Sequence, residues 1–169
     1  TYTNITAAYD NVGGLVGYAN GEMRIENCSA NASVTAGHDY AGGLVGLTRK
    51  GVQIIRCFAT KNDTDQYKYA VTAGNYYAGG LTGASYDTNI TYSYSWADAK
   101  ARRYAGGFVG RYESTDGNNL LTNNYAAGPE VKAETSNQAG MAGYIELKNS
   151  APNQCYWNSA LGTGFIGFY

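Results

Sequence analysis

The sequence predicts an all-β chain wound as a β-solenoid, or β-helix, of about five coils with roughly 30 residues per coil. Three observations carry this expectation. A glycine-rich word recurs, as "VGGLVG" at 12–17, "YAGGLVG" at 40–46, "YAGGLTG" at 77–83, "YAGGFVG" at 104–110 and, altered, "QAGMAG" at 138–143. Two further apolar words keep a near-constant distance from it in every copy. No segment sustains the 3.6-residue apolar period of a helix packed on a core. The copies start near 13, 42, 79, 106 and 139, so they lie 27 to 37 residues apart, closer than the roughly 40–45 residues of a propeller blade. Residues 1–169 read as one repeat domain, and the opening "TYTNITAAYD" reads as the interior of a longer protein.

In the first word Leu15, Leu44, Leu81, Phe108 and Met141 are always large and apolar, which places them on an inward ladder with rungs about 4.8 Å apart. The glycines beside them fit positions where φ is positive or where a close backbone leaves no room for a Cβ. The second word runs "IENCSA" from Ile25, "IIRCFA" from Ile54, "ITYSYS" from Ile90, "LTNNYA" from Leu121 and "PNQCYW" from Pro152. Ile25, Ile54, Ile90 and Leu121 form a second inward ladder. Cys28, Cys57, Ser93, Asn124 and Cys155 share a small-residue column, as do Ala30, Ala59, Ser95 and Ala126. Strand alternation then turns Ser29, Phe58, Tyr94, Tyr125 and Tyr156 outward as an aromatic stripe. Tyr40, Tyr77 and Tyr104 form a second stripe. The third word precedes the first by about eight residues, at Ile5, Val34, Val71, Asp98 and Val131. Three words per coil predict three strands.

Departures from the pattern locate loops. "TKNDTDQYKY" at 60–69 holds an insertion, and "RYESTDGNN" at 111–119 holds a smaller one; insertions on one side of a solenoid often form its binding face. The tail "LGTGFIGFY" from Leu161 departs from the repeat, as a cap or as the start of the next segment.

Composition narrows the functions. With 23 Gly but only 2 Pro, the chain is neither collagen nor a Pro-rich linker. A net charge of −1 with no basic block speaks against nucleic acid or an anionic membrane as partner, so membrane attachment would need an anchor outside this chain. The three cysteines cannot all pair with one another and are expected as unpaired small side chains. The single histidine, His38, is too few for a zinc-protease helix, and no Gly-x-Ser-x-Gly elbow accompanies it. Asp39, Asp63, Asp65, Asp87, Asp98 and Asp116 are scattered over loops rather than stacked on one face, and Asp63 and Asp65 lack the glycine and distal glutamate of a calcium loop. No catalytic residue, metal or cofactor is expected.

The ordered words resemble the GLUG repeat, whose Gly-Gly-Leu-Val-Gly core is followed by an Ile-x-Asn-Cys-Tyr-Ala-type word. "GGLVG" occurs twice, "IENCSA" follows the first copy, and "NQCYWNS" closes the fifth, so the resemblance covers nearly the whole chain. It implies an extracellular solenoid module of large bacterial surface proteins, such as haemagglutinin-like adhesins and some immunoglobulin A proteases, and of uncharacterised Bacteroidetes proteins. It brings no catalytic residues. The expected function is non-enzymatic adhesion or display at a bacterial surface, with a glycan or a host surface protein as partner. Tyr67, Tyr69, Tyr86 and Tyr112 are the candidate contacts, because a tyrosine offers rigid apolar area and a hydrogen-bonding tip. A purely structural stalk is one alternative. A carbohydrate-active β-helix, which needs carboxylates converging in one groove, is another.

Overall fold

The structure, a computed structural model, describes residues 3–61, 70–115, 117–148, 151–159 and 164–167. It is a parallel β-solenoid of about five turns. Each coil hydrogen-bonds to the next in register, so equivalent residues of successive repeats stack. Along the first predicted ladder Leu15 N–H donates to the Leu44 carbonyl at 2.9 Å, Leu44 to Leu81 at 2.9 Å, Leu81 to Phe108 at 2.8 Å and Phe108 to Met141 at 3.1 Å. Leu44, Leu81, Phe108 and Met141 are fully buried, whereas Leu15, on the first rung, is 49% exposed.

The three words become five strand positions per coil because two of them break at corners. The first word splits around its second glycine and the large apolar residue, as in Ala41–Gly42 and Val45–Arg49. The second splits into pieces such as Gln53–Ile55 and Phe58–Thr60. Its break is a left-handed residue in every coil: Asn27 (φ 53°), Arg56 (51°), Tyr92 (53°), Asn123 (55°) and Gln154 (50°). Asparagine tolerates this region better than most residues, which accounts for the Asn of "ENC" and "NNY". Of the two reasons for the first-word glycines, positive φ or no room for a Cβ, the first does not hold, since those glycines do not have it. They answer to space instead. A Cβ on Gly43 or Gly80 would run into the carbonyl of the equivalent glycine on the next rung.

The residue after each left-handed corner turns inward and binds backbone. Ser93 Oγ accepts from Cys57 N–H at 3.1 Å, Asn124 Oδ1 accepts from Ser93 N–H at 3.0 Å, and the Asn124 amide donates to the Ile90 carbonyl at 2.8 Å. The cysteines are free thiols. Cys57 Sγ lies 3.4 Å from the Ile25 carbonyl and Cys155 Sγ 3.3 Å from that of Leu121. Burial pushes both thiols above their usual pKa, which keeps them protonated as donors. Cys, Ser and Asn share this column because each is small and offers a donor at the corner.

Two core clusters fill the coil. The larger contains Leu44, Leu81 and Phe108 with Ile54, Ile90 and Leu121; the thinner one is built from valines and alanines such as Val34, Val71, Ala78 and Ala99. The register of the third word corrects one position. Val71 pairs with Ala99, which pairs with Val131, so Asp98 stands one residue outside the ladder. It lies buried, paired with Lys61 and accepting the Glu130 N–H at 2.9 Å. A carboxylate so placed needs these partners, and an apolar ladder offers none.

The tail continues the repeat. Met141 N–H donates to the Phe165 carbonyl at 3.1 Å and Gly167 N–H to that of Ala142 at 3.0 Å, while Ile166 bridges Ala142 in parallel. Phe165 therefore follows Met141 on the central ladder, and "GFIG" at 164–167 repeats "GFVG" at 107–110 as the start of a sixth rung. Trp157, in register with Ala126, packs against Phe165 with ring centroids 5.1 Å apart.

Candidate ligand-contact faces

The fifth strand position presents the predicted stripe. Ser29, Phe58, Tyr94, Tyr125 and Tyr156 follow one another in register. The Phe58 and Tyr94 rings stack at 4.9 Å, almost parallel, which is the rung spacing itself. Tyr94 is 39% exposed, Tyr125 46% and Tyr156 63%. Trp96 and Tyr92 are also well exposed. Sequence reasoning missed both as contact residues, although Trp96 follows Tyr94 by two and so shares its face. Tyr92 was hidden by its corner, because a left-handed residue breaks the alternation on which face assignment depends.

The second stripe is not a free rail. Tyr77 stacks on Tyr40 at 5.6 Å and on Tyr104 at 5.3 Å, and Tyr104 meets Tyr144 edge-on at 5.6 Å. Tyr77 is only 8% exposed. Arg111 holds this layer together: Nη1 donates to the Tyr77 hydroxyl at 3.0 Å, and the guanidinium lies 5.3 Å from the Tyr86 ring centroid and 4.8 Å from that of Tyr144. Each such cation–ring contact contributes about 0.5–2 kcal/mol. Ala84, the register partner of Arg111, and Leu47, one strand beyond it, are buried.

The four candidate tyrosines fall in different places. Tyr86 belongs to this outer layer, half-buried with Arg49 4.5 Å from its ring, and burial pushes its phenol above the usual pKa, so it is a neutral donor at physiological pH. Tyr112 is a correction. It sits fully buried in the main core with its hydroxyl donating to the Thr88 carbonyl at 2.7 Å, because strand alternation from Arg111 turns it inward, and it cannot touch a partner. Tyr67 and Tyr69 lie outside the described residues, as do Asp63, Asp65 and Asp116. His38 is exposed at its turn, edge-on to Tyr9 at 5.6 Å.

One set of charges does converge. Glu113 and Glu146 are register partners on Val109–Ser114 and Ala142–Leu147. Arg111 Nη2 lies 2.6 Å from Glu113 Oε2 and 3.6 Å from Glu146 Oε2, and the Tyr144 hydroxyl donates to Glu146 Oε2 at 3.0 Å. The scattered aspartates drew attention away from this pair. Its signal was legible all the same: each glutamate stands three residues after the closing glycine of its first word, Gly110 and Gly143.

Among protein families, the model described as the GLUG motif matches residues 8–35. No curated protein and no solved structure matches the chain. The matched segment spans the glycine word and the "IENCSA" word of the first coil, and the stacked coils beyond it repeat both words; the chain is a β-solenoid that carries a match to the GLUG motif in its first coil.

Proposed function

We propose that this solenoid is a non-enzymatic extracellular module of a bacterial surface or secreted protein, and that it acts in adhesion or display by holding aromatic side chains on a rigid rail. The observation that carries the reading is the set of Tyr94, Trp96, Tyr125 and Tyr156 on neighbouring strands of one side of the coil, with Tyr92 at the corner before Tyr94, each between 39% and 63% exposed. Large exposed aromatics clustered on a rigid surface mark contact sites more often than plain surface. The in-register stack beneath them fixes their positions before binding, which lowers the ordering cost of a contact. The partner is a glycan or a protein of a host or cell surface, and Tyr67 and Tyr69 in the insertion are further contacts. A structural spacer is the second reading. The parallel Phe58–Tyr94 stack favours it, since cross-strand aromatic pairs stabilise a sheet by about 0.2–1 kcal/mol without any ligand.

A glycan and host-protein array separates the two. The purified domain is expected to give hits that a Tyr94→Ala, Trp96→Ala, Tyr125→Ala variant loses while keeping its melting transition. A blank array from folded protein would favour the spacer.

A further inference from the structure

We infer that the cleft lined by Glu113, Ser114, Thr115, Glu146, Leu147 and Lys148, with a volume of about 290 Å³, is a binding subsite for one unit of a neutral saccharide. The inference rests on the reading of the solenoid as a binding module, but it uses a different surface from the aromatic rail.

Two carboxylates directly opposite each other on neighbouring strands repel. Here Arg111 is placed to compensate, with its guanidinium against the Oε2 atom of both, and Tyr144 adds a hydroxyl to the Glu146 side. The Oε1 atoms of Glu113 and Glu146 have no hydrogen-bond partner among the described residues. The structure thus holds two carboxylates by one oxygen each and leaves the other for a ligand. Lys148 and one apolar wall, Leu147, complete the lining with Ser114 and Thr115, whose hydroxyls are already bound to Asn119 and Asp87.

Charge decides the ligand class. An anion would meet two carboxylates, and a cation would meet Arg111 and Lys148. The two carboxylates balance the guanidinium and the ammonium, so the cleft suits a neutral molecule rich in hydroxyls: paired hydroxyls donate to carboxylate oxygens and accept from Lys148. The volume lies at the lower limit of small-molecule pockets, roughly 300–1,000 Å³, and fits one ring rather than several.

The same geometry addresses cleavage. The Oε2 atoms both touch Arg111 and so lie no more than about 6 Å apart, which does not exceed the separation of roughly 5–10 Å at which carboxylate pairs act on glycosidic bonds. Hydrolysis, however, needs one carboxyl to keep its proton as general acid. Here both Oε2 atoms are taken up by Arg111, with the Tyr144 hydroxyl added on the Glu146 side, and the cleft binds without cutting.

Calorimetric titration with neutral hexasaccharides of glucose, mannose and xylose tests this, with hexagalacturonate and the chitosan hexamer as charged controls. At least one neutral oligomer is expected to bind, to weaken about tenfold or more in Glu146→Gln and Glu113→Gln, and to keep its affinity in the aromatic-rail variant. Glu146 is largely exposed, so its amide variant leaves the fold intact. Binding only by a charged oligomer, no binding by any neutral one, or affinity unchanged in both amide variants would overturn the subsite. Loss of binding in the rail variant alone would also overturn it while leaving the adhesive reading standing. Release of reducing ends would overturn binding without cleavage.

Discussion

Gly80→Ala is expected to lower stability by about 4 kcal/mol or more, among the largest effects a single methyl group can have. Gly80 has an ordinary φ, so the added side chain costs nothing in backbone preference. The difficulty is the next rung. The new Cβ would stand well inside 3.0 Å of the Gly107 carbonyl oxygen and of Ser95 Oγ. The serine could rotate away, but the carbonyl cannot, because Gly80 N–H is bound to the Gly106 carbonyl at 3.1 Å and Leu81 N–H to that of Phe108 at 2.8 Å. Relief requires the two coils to part, which breaks the ladder. Gly21 is the control: its φ of +86° is left-handed, with nothing within 4 Å, so Gly21→Ala should cost only about 1 kcal/mol of backbone strain. Denaturant titration of both variants checks the contrast, and equal losses would show that the rungs are not held at the spacing described.

Leu81→Ala should cost about 3–5 kcal/mol. Leu81 lies fully buried on the middle rung with Leu44 and Phe108 on the rungs either side, so neither neighbour can collapse into the space without leaving its own backbone register. The matched change on the first rung, Leu15→Ala, removes the same atoms from a residue that is 49% exposed and should cost about 1 kcal/mol or less. The comparison isolates burial from chemistry, since the two leucines occupy the same place in the same word. A loss at Leu15 as large as that at Leu81 would contradict the ladder.

Much of this ladder was legible because repetition substitutes for an alignment. The invariant bulk of Leu44, Leu81 and Phe108 marked the core, and the alternation across Cys57, Phe58 and Ala59 assigned two faces correctly. Legibility failed where alternation itself fails. Asn27 and its equivalents, rather than the first-word glycines, carry the positive φ of the corners, because a corner repeated at every rung can be filled by any residue that tolerates αL. Tyr112 looked like a loop residue because the sequence around it departs from the repeat, yet the strand runs on to Ser114 and turns it inward. Tyr77 looked exposed because nothing local announces that Arg111, distant in sequence, will lie beside its ring. For the same reason Glu113 and Glu146 escaped notice: sequence separation conceals a pair that one rung of the solenoid brings together.

Both the aromatic rail and the carboxylate cleft exist only if equivalent residues stack coil upon coil. The most direct test places spin labels on the outward column Thr6, Thr35, Thr72, Lys100 and Lys132, after replacing Cys28, Cys57 and Cys155 with serine, which Ser93 shows the column accepts. Labels at Thr6 and Lys132 stand four rungs apart, about 19 Å between backbones, and labels at Thr6 and Lys100 three rungs apart, about 14 Å. Dipolar spectroscopy should therefore return a difference of about one rung between the two pairs. Distances that do not differ by a rung, or that exceed 30 Å for the longer pair after allowance for the label arms, would contradict the in-register solenoid and both surfaces built on it.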